Sequence, residues 1–415
     1  MKKYFSLTFA FLFVLLFSNA VFPQNKSTNL LDSLIRANSS LFPEVAANPS
    51  KYQVQILYTQ INRDKHNKPH FTTYKYNVDK NSYFYPASSV KIAGAVLSLQ
   101  KLNELKVKGL DKFTPLKIGS THSGQTTVEK DKSSKDSLPS IAHYVKKIFL
   151  ASDNDAFNRT YEFVGQKYLN EELWKRGLKD LKLMHRVSVA LSPEENRYTN
   201  PFTFYNDGKI IYRQDEQFNP VQYKNDLPTV YRGNGYMLGD SLVNEPKDFS
   251  FSNYISVESL QGILRRIIFP ESFPKDERFN LTEDDYKFLY KYMSMLGRES
   301  DYPKYDTKEY PDANVKFLMF GGTKDTIPSN IRIFNKIGLA YGYLTDNAYI
   351  VDFDKKTEFF LTAIIYVNKD EIFNDDKYEY DQTGLPFLKN LGKVIYNYEL
   401  SRPRKYKPDL SKFRN

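Results

Sequence analysis

Cysteine is absent from this chain. That excludes disulfides, thiol catalysis, cysteine-ligated metal and a lipid-modified cysteine near the N-terminus. Histidine is scarce: His66, His70, His122, His143 and His185 are the five present. They form no H-E-x-x-H motif, so no histidine-bound metal is expected. The sequence has neither a G-x-S-x-G elbow nor a G-x-x-x-x-G-K phosphate cradle, which removes a Ser-His-Asp hydrolase of that type and a P-loop enzyme. No cofactor is expected. Apolar runs of membrane-spanning length are also missing beyond the first residues, so stable membrane insertion is not expected once that segment is gone.

The first residues do carry an address. Lys2 and Lys3 precede an apolar run over 5–17 that ends in Ser18-Asn19-Ala20, the charged, apolar and small-residue regions of a signal peptide over 1–20. Removing it leaves 415 − 20 = 395 residues with a formal charge of +10 − 2 = +8. The chain is 41% hydrophobic, ample for one enlarged domain or two packed lobes. A mild basic excess alongside 49 acidic residues, in an exported chain, points away from nucleic acid. The residues Arg402-Pro403-Arg404-Lys405-Tyr406-Lys407 concentrate part of the charge and read as a solvated end.

A helical lead-in over 21–50 precedes the main domain, 51–402, and a basic tail covers 403–415. Strands are expected over 52–61, where Val54, Ile56 and Tyr58 share one face, and over 70–78. After Pro86 the pattern changes to a buried helix with Ile92, Val96, Leu99 and Leu102 at helical spacing, followed by a helical lobe over 138–183. Segments 205–239 and 272–311 read as insertions. Strands return at 331–334, 339–353 and 359–367, and a closing helix carries Phe387, Leu388, Leu391, Ile395 and Tyr398. The order implies an α/β chain of the α+β kind, an antiparallel sheet flanked by helices with an all-helical lobe inserted.

Three short elements stand out: Ser88-Ser89-Val90-Lys91, Ser152-Asp153-Asn154 and Lys336-Ile337-Gly338. Ser88 lies where an extended Tyr-Phe-Tyr-Pro segment meets a helix start. Its hydroxyl can therefore face a cleft while its N–H points at a developing oxyanion. Lys91, one turn later on the same face, can share its proton. Ser98-Leu99-Gln100-Lys101 repeats the pattern, but in mid-helix, where its serine should be packed. Ser152-Asp153-Asn154 is also a good helix cap.

Together and in this order the elements resemble the S-x-x-K, S-D-N and K-T-G signatures of the class A β-lactamases and their penicillin-binding relatives. The resemblance implies a serine hydrolase with the β-lactamase/transpeptidase-like fold, acting on a β-lactam or a cell-wall peptide. It makes Ser88 the nucleophile and Lys91 its partner. Ser152 would relay a proton, and Asn154, Lys336 and Gly338 would hold substrate. The N–H of Leu339 would be the second oxyanion donor. Ile337 departs from the pattern, since a hydroxyl residue normally stands there to help hold a carboxylate. A deacylating glutamate is implied on a loop after the helical lobe, for which Glu194 and Glu195 are the candidates. The same residues would serve a D-alanyl peptidase or an esterase, and a periplasmic binding protein would keep the fold with a silent site.

Overall fold

A computed structural model describes residues 28–414; the expected signal peptide lies outside them. No helix among the described residues is long and apolar enough to cross a membrane. The centre is a five-stranded sheet built from β1 (Gln55–Arg63), β2 (Pro69–Tyr76), β3 (Ile331–Ala340), β4 (Tyr343–Asp352) and β5 (Thr357–Tyr366). The strands run in the order β3-β4-β5-β1-β2, every neighbour antiparallel. First and last segments of the chain thus share one sheet, which makes β3 and β2 its edges.

The period-two patterns explain which face each residue serves. Val54, Ile56 and Tyr58 join Phe359, Leu361, Ala363 and Ile365 in one core. That core is closed by α1 (Thr28–Ala37) and by the last helix, Leu385–Ser401, through Leu31, Ile35, Phe387, Leu391 and Ile395. Ile61, Phe334, Tyr349, Val351 and Phe360 point the other way, into a core shared with the helices of the middle of the chain. Both faces of β5 are therefore covered, and all ten of its residues are buried, as its nearly continuous apolar sequence requires.

The second layer holds α2 (Lys91–Leu105), α3 (Ile141–Ala151), α4 (Asn154–Val164), α5 (Gln166–Lys175) and α6 (Val257–Ile268). The helical lobe expected over 138–183 is α3 to α5. The segment expected as an insertion over 205–239 lies among short strands between Phe202 and Ile255. One of them, Gly235–Leu238, pairs parallel with Ile372–Phe373, which ties the insertion to a loop near the C-terminus. The segment over 272–311 carries the helix Glu283–Ser294, capped by Thr282 and Asp285.

Two local expectations are corrected. The break expected after Phe334 is not there: β3 runs unbroken through Asn335 and Lys336, and the turn falls at Tyr341-Gly342, with φ of +55° and +77°. Asn335 and Lys336 look like loop residues but are buried and hydrogen-bonded through their side chains. Nor is the C-terminal tail simply solvated. Arg402 and Arg404 both pair with Glu399, a fully buried carboxylate that also accepts the Tyr58 hydroxyl, and such a charge needs counter-charges. Beyond them Leu410 and Phe413 are buried, Phe413 against Phe269, Phe334 and Tyr349. Of the basic residues in that run, only Lys405 and Lys407 are exposed.

Candidate active site

Ser88 sits on a 3-10 turn, Ala87–Val90, between the buried residues Tyr83, Phe84 and Tyr85 and the start of α2. Ala87 has φ of +48°, a left-handed conformation that costs an alanine about 1 kcal/mol or more. Ser89 secures the turn, its N–H and its hydroxyl both donating to Pro86 O, at 3.1 and 2.7 Å. Edge strand β3 passes directly over this turn. A Cβ on Gly338 would lie 2.4 Å from Pro86 O and 3.0 Å from Ser89 N, so only glycine lets strand and turn approach this closely.

Ser152 ends α3 with a left-handed φ of +55°, and Asp153 caps α4 by accepting the Ala156 N–H at 2.7 Å. The two helices meet at a corner that brings Ser152 and Asn154 to Lys91. The Lys91 ammonium, 0% exposed, donates to Ser152 O at 2.5 Å and to Asn154 Oδ1. These two partners, rather than the Ser88 hydroxyl, take its hydrogen bonds. Burial lowers the Lys91 pKa to about 7, against a smaller opposing pull from Asp153, so the free amine is accessible near neutral pH.

Lys336, on β3 and 2% exposed, donates to Ser152 Oγ at 2.7 Å and to Ile337 O at 2.9 Å. Burial, and then the nearby charge of Lys91, hold its pKa well below that of a free lysine. Behind it lies a second buried group. Asp346 pairs across the sheet with Ile337 and accepts from Asn335 Nδ2 at 2.7 Å and from the N–H groups of Phe317 and Leu318 at 3.0 and 2.9 Å. Burial raises its pKa, and burial lowers that of neighbouring Lys316 to about 7. This cluster clamps the segment around Phe317 to the β3 edge of the sheet.

The space between these elements is an open cleft of 620 Å³. Ser88, Ser152, Asn154, Ile337 and Leu339 all line it, and Leu339 is 38% exposed there. A second cavity, of 690 Å³, lies between Glu44, Tyr52 and Thr383 and holds none of the motif residues. Glu194 and Glu195 do not line the cleft. Glu194 pairs with Arg197 at an exposed turn, and Glu195 accepts the Ser192 N–H at 2.7 Å, the bond that lowers its pKa. Pro-Glu-Glu here begins a short 3-10 turn at Glu195–Arg197.

The remaining walls come from residues that no motif marked: Tyr85, Ser188, Phe317, Tyr341, Asp376 and Tyr380 among them. Ser188 accepts from Asn154 Nδ2 at 2.8 Å. The turn at Tyr341-Gly342 falls inside the strand expected over 339–353, and nothing local tells that Asp376 and Tyr380, far along the chain, close the same space.

A sequence profile described as the Beta-lactamase enzyme family matches residues 42–233. The chain is β-lactamase-like. That stretch holds Ser88, Lys91, Ser152 and Asn154, while Lys336 and Gly338 lie beyond it. Among solved structures, a class A β-lactamase from Clostridium kluyveri is 14% identical with a TM-score of 0.46, covering 88% of this chain and 98% of the other. A β-lactamase from Desulfarculus baarsii is 11% identical with a TM-score of 0.48, covering 89% and 99%. A structure titled PBP-A is 14% identical with a TM-score of 0.46, covering 87% and 96%. No curated protein matches the chain.

Proposed function

We propose that this β-lactamase-like chain is an exported serine hydrolase, with residues 1–20 removed on the way to the periplasm, that forms an acyl-enzyme on Ser88. The observation that carries the reading is convergence. Ser88, Ser152 and Asn154 come from three elements and line one cleft, and buried lysines from two further positions are bonded to that same group.

In the proposed reaction Ser88 Oγ attacks a carbonyl carbon and its proton passes to neutral Lys91. The oxyanion is held by the N–H groups of Ser88 and Leu339. Ser152, its oxygen already accepting from Lys336, passes its own proton to the leaving group and takes a replacement from the Lys336 ammonium. Asn154 and Lys336 orient the substrate, and Gly338 leaves room for it beside β3. Water then cleaves the ester. With Glu194 and Glu195 engaged at a separate turn, no glutamate lines the cleft among the described residues, which supports slow deacylation. The apolar Ile337 favours a cell-wall peptide or a small ester over a β-lactam.

Intact-mass measurement after mixing the mature chain with a chromogenic cephalosporin, an aryl ester and a fluorophosphonate tests this. A covalent adduct on Ser88 with at least one of them, lost in Ser88→Ala, is expected. A folded chain that none of the three modifies would make it a binding protein with a silent site.

A further inference from the structure

The cleft has an unusual charge balance for a site built on two lysines. Both ammoniums lie behind its wall, 0% and 2% exposed, and each is already shared between protein oxygens. Among the described residues that line the cleft, Asp376 is the one that bears a formal charge, and it is exposed. Ile337 offers a substrate anion no hydrogen bond. Lys247, which packs on the rim tyrosine Tyr341, does not line the cleft. It is half-buried behind Tyr341, within 5.6 Å of that ring and 4.8 Å of Tyr236, and burial lowers its pKa.

The rim beside Ser88 is aromatic and deliberately held. Tyr341 occupies a left-handed position, φ +55°, in the two-residue turn between β3 and β4, where asparagine or glycine is the unstrained choice. A tyrosine there costs about 1 kcal/mol or more, yet its ring stands edge-on to Tyr85 at 4.8 Å and against Phe249 at 5.7 Å. Beside the same turn Tyr380 is fixed by accepting the Gly342 N–H at 2.9 Å. Tyrosine rings with a carboxylate beside them recognise ammonium groups, through the negative ring faces and the opposite charge.

We infer that the acyl substrate of this cleft carries an ammonium group near its scissile bond rather than a carboxylate, with Asp376, Tyr85, Tyr341 and Tyr380 as its binding wall. The inference rests on the proposed Ser88 chemistry and names the substrate class for it. In the step concerned, Ser88 Oγ bonds to the acyl carbon, the bond from that carbon to the aryl oxygen breaks, the serine proton goes to Lys91 and the aryloxide leaves.

The test uses three p-nitrophenyl esters of matched shape, with a trimethylammonium, a tert-butyl or a carboxylate group at the end of the acyl chain. Pre-steady-state release of nitrophenol gives the acylation rate of the mature chain with each. The expected order is ammonium over neutral over carboxylate, with about tenfold at each step, the scale of one close charge contact near a protein surface. Asp376→Asn should bring the ammonium-to-neutral ratio close to one. Tyr341→Asn, which suits the turn, should lower the same ratio severalfold. A carboxylate ester as fast as the neutral one, or an ammonium ester no faster, overturns the inference while fluorophosphonate labelling of Ser88 leaves the hydrolase reading standing. Loss of all labelling overturns both.

Discussion

Two copies of one four-residue pattern lie ten positions apart at the start of α2 and within it, and they have different fates. Ser88-Ser89-Val90-Lys91 lies on a strained turn and the first residue of α2, and its serine lines the cleft. Ser98-Leu99-Gln100-Lys101 lies wholly inside the same helix. Ser98 is 0% exposed and donates back to Ala95 O at 3.0 Å. Lys101 donates to Phe163 O at 2.6 Å and Val164 O at 3.3 Å, a cation on the carbonyl end of α4, where the helix dipole favours it. Both lysines are buried, and burial lowers both pKa values to about 7. A perturbed lysine is therefore not what distinguishes a catalytic pair. Access is: one serine opens on a cavity and the other on a helix interior.

The lysines offer the sharpest way to break this comparison. Lys91→Met should slow labelling of Ser88 by about a thousandfold or more, the upper range for removing a general base, and should also cost about 1–3 kcal/mol, because Ser152 O and Asn154 Oδ1 lose their donor. Lys101→Met should share the stability loss but spare the labelling. Labelling should stay within about twofold, while urea unfolding loses about 2–4 kcal/mol as two buried carbonyls are left without their donor. Equal effects on labelling would mean that the motif position does not separate the two.

Glycine substitutions sharpen it next. Gly338→Ala forces β3 off Pro86 O and Ser89 N and should cost about 1–3 kcal/mol and about a hundredfold in labelling, because the turn bearing Ser88 must move. Gly94→Ala, between the two motifs, meets Thr160 Oγ1 at 2.7 Å and the Phe157 ring at 3.1 Å. It should cost comparable stability and far less labelling. Similar losses of labelling would show that general loosening, not the position of the turn, limits the reaction.

The pH profile gives a smaller, graded effect. Deprotonation enables Lys91, so the labelling rate should rise about tenfold per unit as pH increases toward about 7 and flatten above it. Lys101→Met should leave that inflection in place, although Lys101 has a similarly lowered pKa. An inflection that disappears with Lys101 would assign the titration to the wrong pair. Ser98→Ala should have the smallest effect of all, within about 1 kcal/mol and without change in labelling.

Much of this was legible in the chain itself. Period-two alternation marked β1, the second arm of a hairpin marked β2 and a continuous apolar run marked β5, helical spacing marked α2 and the final helix, and the helix-interior setting of Ser98 separated it from Ser88. The misreadings share one cause. Asn335 and Lys336 looked like a loop, Arg402 and Arg404 like a solvated tail, and Glu194 and Glu195 like candidate bases, because a polar residue's partner is not written beside it. Asn335 and Lys336 are satisfied within a strand by Val315 O, Asp346 and Ser152. The two arginines are drawn in by Glu399, and the two glutamates are spent on their own turn.

The sequence alone determined what depends on near neighbours: strand and helix periods, the cap in Ser152-Asp153-Asn154, and the order of the three motifs. Only the tertiary structure decided which residues share a cavity. Ser88, Ser152, Ile337 and Asp376 are spread over hundreds of positions of chain, and only the packing of the sheet edge against the helical lobe and the C-terminal loop brings them together. That packing also sets the site's charge. It buries both ammoniums and leaves one carboxylate in water, because burial depends on surrounding atoms from everywhere in the chain, not on the residue's own chemistry.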